Sequence, residues 1–450
     1  MSLAPPSSST AMSSDNNTSL STALCSYRCS PRITKENLFM LLALWMEHFP
    51  VESEQDLADD TGEDTKLPYS GHRKVGAVLV LPNTDILYAV DCTRDGVHAV
   101  ARLLIKHPNI AKGCKVFVSR KPCSFCTKLL VQCKVGKVYF SPFEPEFHGV
   151  ASKQFDRENS QVDTLFKKSS VEPSLLVPKV ATDAAVLERE EPKHKPKEKS
   201  EAEGKMVDRI CKKTKELFDK FCKEEWIKTV KDNFSLSVFD ENMFKQDFTS
   251  AMKWMAQILV ESRLEGGAEI SFQPVVEGEK LNELQSKQFA HLIGMAQFLA
   301  RRTDHDPKKG VGAVIANEKM EIKGLGWNGF PLKAIDGEFP RASANSPIEV
   351  EDFIIHAEQN AFLMRNDKNL KDVTLFVTMT PCDECVPLIQ MEEIKTVVLG
   401  KQLETKAPAI FREKVNKGQK DRVITCYELH VHEGRYRRYW ILIILCMIIY

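Results

Sequence analysis

The sequence predicts an α/β protein of two similar domains with mixed sheets, joined by a charged linker and a helical segment. Three observations carry this expectation. The chain is longer than one hydrophobic core usually serves. The same motifs recur in the same order on either side of a low-complexity charged stretch. Short β-branched runs alternate with longer runs of helical periodicity.

At 450 residues there is room for two or three cores of ordinary domain size. Apolar content of 43% and charged content of 28% are those of a globular protein. Lys+Arg (62) balance Asp+Glu (62), so the basic excess expected of a protein that coats nucleic acid is missing. Residues 1–33 begin with a Ser-, Asn- and Thr-rich stretch without the charged start and apolar run of a secretory signal, and read as a disordered lead-in to an intracellular protein. Thirteen cysteines in such a chain point to thiols or metal ligands rather than a disulfide scaffold, and four sit at metal spacing. The segment 436–450 is nearly all apolar from Tyr439 on, yet shorter than the roughly 20 residues of a membrane helix; it reads as a buried strand or alternative chain end, and no membrane partner is expected.

The domains are expected at 34–170 and 266–435. Between them, 171–205 is a linker, because Glu188–Lys205 has almost no apolar residue and alternates in charge. Its short basic run (KHKPK) reads as solvated linker charge rather than an import signal. Residues 206–265 form a helical connector with apolar residues at helical spacing, their aromatics read as core.

The repeat fixes the order within each domain. The first copy runs Val75-Gly-Ala-Val78, His98, Pro122-Cys-Ser-Phe-Cys126, and the second Val311-Gly-Ala-Val314, His356, Pro381-Cys-Asp-Glu-Cys385. Cys123 follows His98 by 25 positions and Cys382 follows His356 by 26, so the copies agree where a metal would require it. They differ between strand and histidine, 23 positions against 45, which gives the second copy a 22-residue insertion. In that copy the patterning predicts a helix around Leu281–Arg301 and strands near Gly312–Ala316 and Glu321–Gly326. A helix from about His356 to Met364, a strand Thr374–Thr378, a helix after Pro381 and a strand Thr396–Leu399 follow. Val386–Leu399 has spacing compatible with an export signal, but reads as helix and strand core.

Cys382 and Cys385 are three apart and would share a helix face, with Pro381 at the helix start and both thiols in a first turn whose dipole favours thiolate. His356 adds a third ligand and leaves the fourth tetrahedral position to water, the arrangement of a catalytic zinc. Glu358 lies two residues on. Positions i and i+2 do not face each other on a regular helix, so the pair can converge only where a helix opens, and a helix is expected to begin close to His356.

With H-A-E and P-C-D-E-C together, the chain resembles the cytidine and deoxycytidylate deaminase family over most of 281–400, and more loosely over 70–142. The segment Gly326-Trp-Asn-Gly-Phe-Pro331 is similar to the G-Y-N-G-x-P segment of deoxycytidylate deaminases. The resemblance implies two cytidine-deaminase-like three-layer α/β/α domains. It implies zinc on His356, Cys382 and Cys385, hydrolytic attack at C4 of cytosine, and Glu358 carrying a proton to N3 and on to the leaving amine. Ammonia and a uracil nucleotide would result. Asn328 would contact the sugar hydroxyl, with Ala357 a second candidate for substrate contact, and a free cytosine nucleotide such as dCMP or dCTP would be the substrate. Within the insertion, Lys333 and Arg341 are candidates to approach phosphates. Family members are commonly oligomeric, so a homo-oligomer is expected, in the cytoplasm with the nucleus left open.

The first copy keeps His98, Cys123 and Cys126 as a zinc set but has Val100 where the proton carrier should stand, and no clear counterpart to the Asn-Gly segment. It is expected to bind zinc without catalysing, and either to pack against the active copy or to sense a nucleotide. Two other readings stay open: an APOBEC-type deaminase of single-stranded nucleic acid, disfavoured by acidic and apolar residues around the active motif, and a non-catalytic zinc scaffold, disfavoured by an intact Glu358.

Overall fold

A computed structural model describes residues 33–51, 71–148, 152–180, 201–223, 240–264, 270–275, 279–303, 310–331, 353–402, 408–416 and 424–431. Its first half runs α1 (Lys35–Glu47), β1 (Gly76–Val80), β2 (Leu87–Cys92), α2 (Ala99–Lys106), β3 (Lys115–Val118), α3 (Ser124–Gln132), β4 (Lys137–Phe140), α4 (Ser152–Lys167) and β5 (Glu172–Leu175). Helices α5 (Glu201–Phe221) and α6 (Glu241–Glu261) follow. The second half runs β6 (Ile270–Pro274), α7 (Glu283–Ala300), β7 (Gly312–Asn317), β8 (Ile322–Trp327), α8 (Ala357–Leu363), β9 (Val373–Val377), α9 (Cys385–Met391), β10 (Thr396–Leu399), α10 (Ala409–Asn416) and β11 (Thr425–Val431).

Two mixed sheets result, ordered β2-β1-β3-β4-β5 and β8-β7-β9-β10-β11-β6. In both, the second-position strand is antiparallel to its two neighbours and the next three strands are parallel. The repeat extends to an irregularity: the register slips between Leu79 and Val80 on β1 and at the corresponding place, between Ile315 and Ala316, on β7. Strand alternation sorts side chains to two faces. On β1, Ala77 and Leu79 pack outward with α2, α3 and α4, while Val78 and Val80 pack inward. On β7, Ala313 and Ile315 face α8, α9 and α10, while Val314 and Ala316 face α7. Each domain is therefore the expected three-layer α/β/α unit.

The glycine of each VGAV motif exists because a helix backbone lies against the strand. A Cβ on Gly76 would stand 2.0 Å from the Ala43 carbonyl oxygen of α1, and one on Gly312 1.9 Å from that of Ala296 on α7.

The inner faces of both sheets and helices α1, α5, α6 and α7 form one continuous core. Residues 206–265 thus hold more than a connector: Phe248, Met252 and Met255 of α6 are fully buried between the halves. Two other boundaries shift from expectation. The first sheet reaches past 170, because β5 pairs in parallel with β4, and α5 already begins at Glu201; the charged segment 181–200 between them lies outside the described residues. The halves also meet through Trp45 of α1, whose indole stacks on His291 of α7 at 4.4 Å and donates to its carbonyl at 3.0 Å. The outer strands β2 and β8 lie side by side, and Arg94 donates to the carbonyls of Lys319 at 3.0 Å and Met320 at 3.4 Å. Val386 and Ile389 of α9 and Val397–Leu399 of β10 are fully buried, so the export-like spacing is core. Among the described residues no helix is long and apolar enough to cross a membrane. The segments 1–32 and 432–450 fall outside the description.

Candidate functional site

Helix α8 opens on His356 as its N-cap, as the His–Glu spacing requires, and the Gln359 side chain accepts from the His356 N–H at 2.9 Å. The backbone at His356 is extended, not helical, which releases the pair from helical i, i+2 geometry, so His356 reaches the thiols while Glu358, inside the first turn, lies buried at 4% exposure beside them.

The helix after Pro381 starts three residues later than expected. Cys382 sits in a turn whose carbonyl accepts from Cys385 and Val386 N–H, both at 3.1 Å, and only Cys385 is in α9. The thiols still converge because this turn, like the first turn of a helix, folds positions i and i+3 onto one side. In the first copy the same residues are placed slightly differently: Cys123 is the N-cap of α3, and its Sγ accepts from Cys126 N–H at 3.5 Å.

His356 Nδ1 lies 3.2 Å from Cys382 Sγ and 3.3 Å from Cys385 Sγ, and the three donors form a mutually close set. Tetrahedral zinc with Zn–S of about 2.3 Å and Zn–N of about 2.05 Å needs S···N edges of about 3.5 Å, so these residues fit the ion. Cys382 is held down to about 3, first by the hydrogen bond from Cys385 and then by His356, while Cys385 is pushed up, first by that same bond. The hydrogen bond to Cys382 raises His356, and burial raises Glu358 above its ordinary 4.5.

Asn328 comes to this centre through a bridge that sequence spacing hides. Gly329 N–H donates to the Ile355 carbonyl at 3.1 Å and Ile355 N–H returns 2.9 Å, which sets the Asn-Gly segment beside His356 across the insertion. The Asn328 Oδ1 accepts from Val311 N–H at 2.7 Å and Thr303 Oγ1 at 2.5 Å, fixing the side chain. Ala357, fully buried, begins α8. Lys333 and Arg341 lie outside the described residues.

The first copy shows what Asn328 adds. Thr93 takes its place: its N–H donates to the Val75 carbonyl at 2.8 Å and its Oγ1 accepts from Val75 N–H at 3.1 Å, just as Asn328 N–H donates to Val311 at 3.1 Å. The equivalence is hard to see in sequence because Thr93 is 18 positions past Val75 but Asn328 only 17 past Val311. Threonine reproduces the backbone anchor and lacks the amide donor. The Arg94–Val97 bridge, closed by Asp95 and Gly96 at φ of 53° and 68°, replaces the long insertion. Val100, fully buried, stands in the second position of α2 as Glu358 does in α8. His98 Nδ1 lies 3.4 Å from both Cys123 Sγ and Cys126 Sγ. A residue that sequence reasoning missed, Glu146, joins this set. Its only sequence signal is a pair of acids flanking a proline, Glu144-Pro-Glu146, after an apolar strand.

Fold and site define a zinc-dependent deaminase. The family described as cytidine and deoxycytidylate deaminase zinc-binding region matches residues 57–142 and 286–401. The zebrafish (Danio rerio) protein named cytidine and dCMP deaminase domain-containing protein 1 is 28% identical over 82% of this chain and 83% of its own length. Deoxycytidylate deaminase of Mycobacterium phage D29 is 33% identical over 25% of this chain and 93% of the phage protein. The human deoxycytidylate deaminase is 35% identical over 22% of this chain, which spans only 58% of the human protein's length. The chain belongs to the cytidine and deoxycytidylate deaminase family.

Proposed function

We propose that the C-terminal centre hydrolyses the 4-amino group of a free cytosine deoxynucleotide, of the dCMP or dCTP class, to the uracil nucleotide and ammonia. The observation that carries this reading is the buried Glu358 carboxylate against a mutually close His356, Cys382 and Cys385 set. Zinc, when bound by those three residues, supplies Lewis-acid chemistry that brings the pKa of water to about 7. Glu358 is not among the mutually close donors and is left for proton work. Burial raises its pKa above the ordinary carboxylate value, which makes it a better proton acceptor: it takes a proton, delivers it to N3 of the base and carries the next one to the leaving amine. Asn328, anchored through its Oδ1, is assigned the sugar hydroxyl. Ala357 is assigned the base, since N–H groups in a helix's first turn have no intrahelical acceptor. Relatives named deoxycytidylate deaminase support a free-nucleotide substrate.

The test is product formation from dCMP, dCTP, cytidine, deoxycytidine and a cytosine-containing single-stranded DNA. Turnover of a free deoxynucleotide with none on the DNA is expected; turnover of the DNA alone overturns the reading. The protein is further proposed to be a homo-oligomer in the cytoplasm, with the nucleus left open; light scattering that returns an active monomer removes the first part, and imaging of the tagged full chain with none in the cytoplasm removes the second.

A further inference from the structure

The N-terminal centre differs from the C-terminal one by more than the loss of a proton carrier. Glu146, 1% exposed, points its carboxylate into the His98, Cys123 and Cys126 set. Its Oε1 is 2.7 Å from His98 Nδ1 and 3.7 Å from Cys126 Sγ, and its Oε2 accepts from Cys123 N–H at 2.8 Å. All four donors are buried and mutually close. The C-terminal set has three mutually close donors among the described residues, of which only Cys385 is buried.

We propose that Glu146 is the fourth ligand of a zinc ion held by His98, Cys123 and Cys126, so that the N-terminal centre is a closed structural metal site. Two thiolates, an imidazole and a carboxylate are a donor set that zinc takes, and four protein ligands are the mark of its structural sites. Three separations suit it: the two His98 Nδ1 to sulfur separations are 3.4 Å and the Glu146 Oε1 to Cys126 Sγ separation 3.7 Å, against tetrahedral edges of about 3.5 Å. The fourth, His98 Nδ1 to Glu146 Oε1 at 2.7 Å, is a hydrogen-bond distance, and binding the ion would part the two groups to an edge of about 3.3 Å. Glu146 lies beyond residues 57–142, the stretch that matches the zinc-binding family.

The chain itself aims Glu146 at the ion. Its N–H donates to the Lys121 carbonyl at 3.0 Å and its carbonyl accepts from Arg73 N–H at 2.7 Å, so its backbone is pinned on both sides. The loop that carries it is anchored in turn. Phe143 is fully buried against Phe248 of α6 at 4.8 Å. Glu144 accepts from Arg120 at 3.0 Å, and the same guanidinium donates to Glu47 of α1 at 2.7 Å. An ion ligated by Glu146 would tie α2 and α3 to a loop rooted in the core shared by the two domains. His72 meets the His98 ring edge-on with ring centroids 4.8 Å apart, but lies outside the mutually close donors.

The test loads the full native chain with cobalt(II) and titrates it with azide while visible absorption is recorded. Two ions per chain are expected, with only part of the absorption responding, because a four-ligand site has no position for azide. Glu146→Gln, which keeps the backbone bonds, is expected to make all of the absorption respond and to speed metal release to a chelator at least about tenfold. His72→Ala leaves the silent part silent. One ion per chain with cobalt absent from His98 overturns the proposal, as does a native chain whose absorption responds in full or a Glu146→Gln chain with part still silent. A native chain that responds nowhere sustains this proposal and instead contradicts an open C-terminal centre. The native titration needs no variant to fold, and Glu146→Asp, which keeps a carboxylate, is expected to retain two ions.

Discussion

At the scale of single residues, the two copies differ at positions where chemistry would differ: Glu358 against Val100, and Asn328 against Thr93. The proton role proposed for Glu358 sets a pH dependence. To take the first proton it must be ionised, and burial raises its pKa above 4.5, so kcat/KM falls as pH drops through a value higher than that of an exposed glutamate. A pH profile whose acid limb lies at or below 4.5 contradicts that role. The His, Cys, Cys and Glu set of the C-terminal copy was legible because ligand chemistry forces fixed residue types at short spacing, and the need for His356 and Glu358 to converge located the start of α8 to within a residue. Glu146 was not legible. It sits twenty positions beyond Cys126 on a loop, and its direction depends on backbone bonds to Lys121 and Arg73 that no local pattern encodes.

At the scale of elements, the glycines of the two VGAV motifs are explained by contact rather than by backbone freedom. A methyl on Gly312 meets the Ala296 carbonyl oxygen and then the Ala300 nitrogen at 3.0 Å, both of them helix backbone that moves only as a unit. Gly312→Ala is therefore expected to destabilise the chain by about 1–3 kcal/mol, the range for overpacking a core, and to lower the urea midpoint. A midpoint equal to that of the unaltered chain would remove the close approach of α7 to β7 as its reason. Strand and helix order was readable because alternation and helical periodicity survive burial, and β10 was located to the residue. The start of α9 was misjudged because Pro381 can open a turn as readily as a helix; here Asp383 and Glu384 complete the turn before the helix begins.

At the scale of the whole molecule, α5 and α6 belong to a core that both sheets share, and the halves are also joined by charge along β2 and β8. Glu321 beside β8 accepts from Lys106 at 2.7 Å and Arg102 at 3.2 Å, both on α2 of the other half. Burial works to raise its pKa, but the Lys106 hydrogen bond and charge prevail and hold it at about 2. A carboxylate depressed on folding adds stability above its ordinary 4.5 and loses that contribution as pH falls towards about 2. Glu321→Gln should thus narrow the gap in stability between neutral solution and about pH 3, read from denaturant midpoints. An unchanged gap would mean that the pair is screened by solvent. This merging of halves was hidden from sequence, because amphipathic spacing shows that a helix has a buried face and not which partner buries it.

The central claim is that the C-terminal centre alone does the chemistry, with Glu358 as its proton carrier. Turnover of a free cytosine deoxynucleotide by the full chain carrying Glu358→Gln, with its metal content measured on the same sample, tests this most directly. The account predicts a loss of about 10²–10⁴ in kcat with metal content unchanged. Turnover within a few-fold of the unaltered chain would contradict it.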